Sequence, residues 1–164
     1  MDHFFNSLLE RLSRISDLVL VDTLPSTGLD IRPSLKMSAA VLVPVQPSPL
    51  DLWATQSVLD DIRRERSRPL IVLTRVPARA RLTAEIVAEI ARLQSSIADA
   101  RLGNRTAYAA TLAVGASVAD WAMQDEAWCI DAASEIRKLS QEVLDFAGLY
   151  ADERYASAAG LVSA

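Results

Sequence analysis

The stretch VLVPVQPSPLDLWA, residues 41–54, decides the fold, because it joins the signal for a buried strand to the signal for a helix start. Val41–Val45 is an apolar run without polar alternation, which is typical of a strand that is buried on both faces. Ser48 and Pro49 follow as a predicted N-cap and first helical residue, and Asp51 adds a favourable carboxylate in the first turn. The stretch therefore predicts a strand–helix unit of an α/β protein.

Two further apolar runs of the same kind flank this unit, at Leu18–Val21 and Leu70–Leu73. Apolar residues at helical spacing lie between and beyond the three runs, and they predict amphipathic helices at residues 5–15, 49–65, 80–99 and 130–146. All seven prolines precede residue 78, so the second half of the chain is expected to be mostly helical. Strands that alternate with helices predict an α/β fold with a parallel sheet flanked by helices.

Length and composition exclude several classes of protein. The 164 residues fit one domain, predicted over residues 1–150, with residues 151–164 as a flexible tail. A formal net charge of −4 argues against a basic nucleic-acid coat. One cysteine and one histidine, Cys129 and His3, exclude a disulfide framework and a zinc cluster and leave no Ser–His–Asp set. No apolar run spans a bilayer, so we expect a cytoplasmic protein without membrane partners.

Four segments together resemble one family. Residues 18–28 (LVLVDTLPSTG), 41–54, 70–82 (LIVLTRVPARARL) and 102–121 (LGNRTAYAATLAVGASVADW) look like the ParA/MinD family of deviant Walker-A ATPases, and most of all the ParA-type partition ATPases. The resemblance covers residues 4 to about 148. It implies a P-loop NTPase-like parallel sheet, and a role in DNA segregation or in the positioning of cellular cargo.

The resemblance also implies candidate site residues, each carried over by position. Asp22 matches the Walker-B aspartate, which in the family acts on the Mg²⁺ of bound ATP; from the residues alone, a strand-end Asp before a polar turn is the ordinary alternative. Thr74 and Arg75 occupy a region that in relatives approaches the nucleotide base. The loop that in the family senses the γ-phosphate corresponds to Ser26, Thr27 and Gly28.

One expected feature is missing from these residues. Family members begin with a strand and a KGGxGKT-type phosphate loop, whereas Gly28 is the first glycine here and Lys36 and Lys138 are the only lysines. The ATP and Mg²⁺ that the family implies are therefore doubtful, and we expect no ATP hydrolysis by this chain alone. Leu18–Val21 and Val41–Val45 would also lose their shared neighbour. Either they pair directly, or another chain fills the gap, namely a second copy or an intact ParA-like partner.

Basic residues form a second candidate site. ParA-type proteins bind DNA non-specifically through basic surface, and Arg contacts to phosphate suit this role. The alternative is a solvated helix end whose arginines pair with the acidic surplus. The cluster comprises Arg63, Arg64, Arg66, Arg68, Arg75, Arg79 and Arg81.

A few other residues have only weak signals. Asn104, Arg105 and Tyr108 form a functional cluster only through the resemblance, and otherwise indicate a helix cap and one amphipathic face. We expect Cys129 to be buried and His3 to lie at the surface. Core or interface packing is expected of Trp53, Trp121 and Trp128.

The sequence thus predicts a ParA-like partition protein that derives from an ATPase without carrying its own phosphate loop. Expected partners are another copy or an intact relative, non-specific DNA, and a centromere-binding adaptor protein. The alternatives are a non-catalytic module for dimerisation or for binding DNA or a partner, and a truncated product without independent function.

Overall fold

A computed structural model describes residues 2–23, 31–77, 88–124 and 126–149. Its three strands are parallel, and helices lie on both faces of the sheet. The strands are β1 (Val41–Val45), β2 (Pro69–Val76) and β3 (Ser96–Gly103). The helices are α1 (Asp2–Ile15), α2 (Arg32–Met37), α3 (Pro49–Arg64), α4 (Thr106–Ala113), α5 (Val118–Ala122) and α6 (Ala127–Phe146). The predicted α/β class with a parallel sheet is confirmed.

The sheet has the order β1–β2–β3, so sequence neighbours are also spatial neighbours. β1 pairs with β2 in regular register from Val41 opposite Pro69 to Val45 opposite Leu73. Pairing of β2 with β3 is regular at first and shifts twice beyond Ile71. All three strands run the same way, so their carboxyl ends share one edge of the sheet.

One face of the sheet packs against α3. Ser48 caps this helix by accepting a hydrogen bond from the N–H of Asp51 at 3.2 Å, and Pro49 is its first residue, as the sequence predicts. Leu59 and Ile62 lie fully buried in a core that includes Val45 and Leu73. Burial of this apolar surface is the main force that holds α3 on the sheet.

The opposite face packs against the second half of α6, which confirms the helix predicted at residues 130–146. Leu139, Val143 and Phe146 of α6 contact a small core formed by Leu70, Val72 and Ala98. The first half of α6 instead packs on α4 and α5, around buried Cys129. α6 therefore connects the sheet to a helical layer.

The predicted strand at Leu18–Val21 is wrong. Residues 18–23 are irregular and lie outside the sheet, and the side chain of Leu20 is 79% exposed. A strand needs backbone partners on a neighbouring strand, and an apolar run supplies none by itself. Asp22 consequently does not stand at a strand end.

The helix predicted at residues 80–99 is wrong at its carboxyl end, where β3 begins at Ser96. Residues 88–91 are helical, and residues 78–87 lie outside the described residues. Gln94 has a φ of 52° and ends the helical path. The second half of the chain accordingly contains a strand as well as helices.

Candidate functional site

Polar groups collect at the carboxyl edge of the sheet, which is where open parallel sheets bind ligands. Thr74 and Arg75 lie at the end of β2, and Asn104 and Arg105 directly follow β3. The N–H of Asn104 donates to the carbonyl of Val76 at 2.9 Å, which joins the two strand ends. The structure thus brings together two pairs of residues that the sequence analysis singled out separately.

Arg75 has an unusual backbone for a strand residue. Its φ is 50°, in the left-handed region that favours glycine, and the register of β2 with β3 shifts between Leu73 and Val76. Such bulges re-aim side chains and occur beside functional sites. The exposed guanidinium of Arg75 has no ion pair with a described residue, so it is available to an anionic ligand at this edge.

Glu135 of α6 organises the turn that follows β3. Its carboxylate accepts hydrogen bonds from the N–H of Gly103 at 2.9 Å, from Arg105 Nε at 2.9 Å and from the Tyr108 hydroxyl at 2.8 Å. Arg105 also reaches Asp131, one turn earlier on α6, at 3.1 Å. One partly buried carboxylate therefore holds three residues, namely Gly103 at the end of β3, Arg105 in the turn and Tyr108 of α4.

The hydrogen bonds in this cluster define its protonation states. Burial acts to raise the pKa of Glu135, but hydrogen bonds from Arg105, Gly103 and Tyr108 outweigh it and hold that pKa below its usual value. Burial and the bond to Glu135 raise the pKa of Tyr108, and the hydrogen bond to Glu135 raises the pKa of Arg105. The cluster thus holds an anion, a neutral phenol and a cation.

These bonds limit what Glu135 can do chemically. Both of its oxygens already accept from donors, so its lone pairs are not directed at a ligand. A Cβ on Gly103 would lie 3.2 Å from both Arg105 Nε and a Glu135 oxygen, so the turn approaches α6 closely at this glycine. Glu135 therefore positions the turn and is not a general base.

Glu135 and Asp131 were missed in the sequence, since they lie about thirty residues from the turn that they hold. Their only local signal is their position on the polar face of the helix predicted at 130–146. Asn104 lies exposed next to the cluster. Arg105, which precedes α4, makes no capping bond to that helix and pairs with α6 instead.

The Walker-B-like segment is not part of this edge as described. Asp22 is exposed in an irregular segment, and Ser26, Thr27 and Gly28 lie outside the described residues. The described chain contains no group of three or more His, Cys, Asp or Glu side chains that could share a metal ion. One exposed carboxylate does not by itself fit Mg²⁺ and a triphosphate.

The arginine cluster divides between two edges of the sheet. Arg63, Arg64, Arg66 and Arg68 surround the turn before β2, whereas Arg75 lies at the other end of that strand. The strand separates Arg68 from Arg75 by about 23 Å at roughly 3.3 Å per residue. Arg79 and Arg81 lie outside the described residues.

The arginines before β2 differ in their contacts. Arg63 pairs with Asp60 and bonds the carbonyl of Leu93, and Arg64 pairs with Asp61 at 2.5 Å. The guanidinium of Arg68 lies 4.5 Å from the centre of the Phe146 ring. The side chain of Arg66 makes no hydrogen bond or ion pair with a described residue, and it is exposed. This surface keeps cationic groups in water.

The packing predicted for the tryptophans and the cysteine is confirmed except at one tryptophan. The Trp121 and Trp128 rings pack with centroids 5.6 Å apart and planes tilted by 60°, as expected of packing residues. Trp53 is 79% exposed, so core packing is wrong for this residue. Cys129 is fully buried, as predicted, and burial raises the pKa of its thiol.

Fold and site together define a parallel α/β protein with its polar groups gathered at the carboxyl ends of the strands. No protein-family model matches the chain. It is similar to "Maintenance of carboxysome distribution protein A" of Halothiobacillus neapolitanus, with 29% identity over 134 residues and coverage of 78% of this chain. The match spans 60% of that relative's length. Across the described residues, each helix is too short or too polar to cross a lipid bilayer.

Proposed function

We propose that this chain is a ParA-like protein that positions a cellular cargo. The similarity to a protein named for carboxysome distribution carries the proposal, because it extends over 78% of the chain. The parallel sheet with polar groups at the carboxyl edge is consistent with P-loop ancestry. Partition of DNA is the corresponding role in the family that the sequence resembles.

The test is fluorescence imaging of the cargo in the protein's own cells. Cells with the gene for this chain are compared with cells from which it is deleted. We expect the cargo to lose its regular spacing when the gene is deleted, and to regain it when the wild-type chain is restored. Unchanged cargo spacing in the deletion strain would contradict the positioning role.

DNA is the surface on which the proposed positioning occurs. Arg64, the last residue of α3, and Arg66, in the turn before β2, are exposed and can contact phosphates. The log of DNA affinity against the log of salt concentration has a slope of about −0.9 per phosphate contact. The double variant Arg64→Gln/Arg66→Gln is therefore expected to flatten this slope by about 1.8.

The matched control is Arg137→Gln, which removes an exposed arginine on α6. We expect this control to leave the salt dependence unchanged. Fluorescence anisotropy with a labelled duplex of random sequence measures both variants. Equal slopes for the wild type and the double variant would remove the turn before β2 from the DNA interface.

Nucleotide chemistry is proposed to depend on a second chain. The residues around Asp22 provide one exposed carboxylate, so the chain alone is expected to release no phosphate from Mg–ATP. Phosphate release is measured for the wild type and for Asp22→Ala. Hydrolysis by the wild type that Asp22→Ala abolishes would contradict this expectation, and would make the chain an ATPase by itself.

A non-catalytic association module is the second candidate. It is favoured by the large apolar side chains that stand in water, among them Leu20 at 79% and Trp53 at 79% exposed. Under this reading the chain acts through another copy, an intact relative or an adaptor protein. Co-purification of a defined partner from cells in which cargo spacing does not depend on the gene would favour this candidate over positioning.

A further inference from the structure

Residues 18–21, Leu-Val-Leu-Val, form an aliphatic segment without a place in the sheet. The side chains of Leu18, Leu20 and Val21 are 46%, 79% and 41% exposed. The backbone groups of this segment make no hydrogen bond to another described residue. Leu and Val in succession suit a strand that is covered on both faces, and leaving them in water is unfavourable. The segment therefore has the composition of a strand and lacks the partner of one.

The side of β1 that faces away from β2, its outer edge, has backbone groups without a partner strand. The N–H of Val41 donates to the carbonyl of Arg68 at 2.9 Å, so Val41 faces the β2 side. The backbone groups of alternate residues, Leu42 and Pro44, consequently face away from β2. Leu42 is 40% exposed, and its N–H and carbonyl, together with the carbonyl of Pro44, are the outward groups that an added strand can bond. Pro44 itself has no N–H to donate. No described residue pairs with this edge.

At the other side of the sheet, side chains of α6 bond the backbone N–H groups of the edge strand β3. Glu142 of α6 accepts hydrogen bonds from the N–H groups of Asp99 and Ala100, each at 2.8 Å. Glu135 accepts from the N–H of Gly103 at 2.9 Å. Three donors of β3 are thereby occupied, so within the described part of the chain β1 provides the open edge.

We propose that residues 18–21 of one copy add as a parallel strand to the open edge of β1 in a second copy, and reciprocally. Each copy carries one unpaired strand-forming segment of four residues and one open strand, Val41–Val45, of five. Reciprocal exchange satisfies both in a closed twofold dimer, which is the commonest symmetry of homo-oligomers. The second copy is the occupant because residues 18–21 and β1 are both described in one copy and do not pair with each other there.

The proposed dimer is independent of the cargo-positioning role, because it concerns only how two copies associate in solution. Its first test is the molar mass of the full chain by size-exclusion chromatography with light scattering. We expect the wild type to have the mass of a dimer, and Leu18→Asp/Leu20→Asp to have that of a monomer with unchanged circular dichroism. A monomeric wild type would overturn the proposal.

The control is Leu112→Asp, which places the same charge on a 75% exposed leucine at the end of α4. This variant is expected to remain dimeric. A dimer that survives the double substitution at residues 18 and 20, or that only Leu112→Asp dissociates, would place the interface elsewhere and overturn the strand exchange.

Disulfide trapping distinguishes exchange between copies from pairing within one copy. Neighbouring strands lie about 4.8 Å apart, within the Cα separation that a disulfide bridges, and buried Cys129 does not compete. Leu20→Cys chains mixed with Leu42→Cys chains are expected to form a cross-linked heterodimer under mild oxidation. No heterodimer in the mixture, with an internal disulfide in the Leu20→Cys/Leu42→Cys chain, would show pairing within one copy and overturn the proposal.

Discussion

Removal of the Glu135 carboxylate is expected to destabilise the turn after β3. In Glu135→Ala, the N–H of Gly103 loses its acceptor, which costs about 1–3 kcal/mol for a partly buried donor. Tyr108 keeps a weaker bond to the carbonyl of Ala132 at 3.3 Å, so its loss is about 0.5–1 kcal/mol. Arg105 is 38% exposed and keeps Asp131, so the lost ion pair contributes about 0–1 kcal/mol. The free energy of unfolding should fall by about 1.5–5 kcal/mol in total.

Urea unfolding followed by circular dichroism and tryptophan fluorescence measures this change. Glu135→Gln keeps the shape and one acceptor oxygen, so its loss should be smaller, about 1 kcal/mol. Glu10→Gln, at an exposed position on α1, is the control and should change stability by less than about 0.5 kcal/mol. A loss below about 0.5 kcal/mol for Glu135→Ala would refute the role of Glu135 in holding the turn.

The same cluster predicts a pH dependence with a definite sign. The pKa of Glu135 is lowered on folding, so the unfolded chain binds its proton more tightly than the folded chain. The contribution of the carboxylate is therefore complete above its ordinary value of 4.5 and is lost as the pH falls through the lower folded value. The difference in stability between the wild type and Glu135→Gln should shrink over this acid range. A difference that stays constant there would contradict the cause assigned to the shift.

Three further predictions concern the core and the helix start. Leu59→Ala removes a fully buried side chain between α3 and the sheet, and should lower the free energy of unfolding by about 2–5 kcal/mol in urea. Ser48→Ala removes the N-cap of α3 and should cost about 1 kcal/mol, seen as a fall in Tm of roughly 2–4 °C, whereas no change in Tm would deny the cap a role. The Cys129 thiol should react slowly with a thiol reagent in the folded chain and rapidly in denaturant, and equal rates would contradict its burial.

Local signals explain what the sequence predicted correctly. Val41–Val45 and the start of α3 depend on neighbouring residues: an apolar run, an N-cap serine and a proline at the first helical position. Leu70–Leu73 is likewise buried on both faces, inside a somewhat longer strand. Such features need no information about distant residues, and the sequence therefore predicts them well.

The wrong predictions share a dependence on distant partners. Leu18–Val21 has the composition of a strand, but whether it pairs depends on which edge is available. β3 alternates buried Ala98 and Ala100 with exposed Asp99 and Arg101, a period of two that the helical spacing ending at Ile97 obscured. Small alanine side chains give a weak apolar signal, so the neighbouring β2 decides that this segment is a strand.

The candidate site was predictable only in part for the same reason. Thr74 and Arg75 follow an apolar run, so their place at the carboxyl edge could be predicted. The hydrogen bond from the N–H of Gly103 to Glu135 joins residues 32 positions apart, and no local pattern predicts it. The distance between Arg68 and Arg75 depends on the length of β2. The apolar run Leu70–Leu73 predicts a shorter strand than the observed Pro69–Val76.

The two carboxylates that cover β3 have a consequence for tolerance to mutation. Glu135 and Glu142 are seven positions apart, two turns of α6, and both occupy backbone donors of the same strand. Because this shield consists of side chains, a neutral, short replacement at either position uncovers amide groups without opening the apolar core. Such alleles would then be recognised by insolubility at high expression, in addition to the loss of stability that Glu135→Ala is expected to cause.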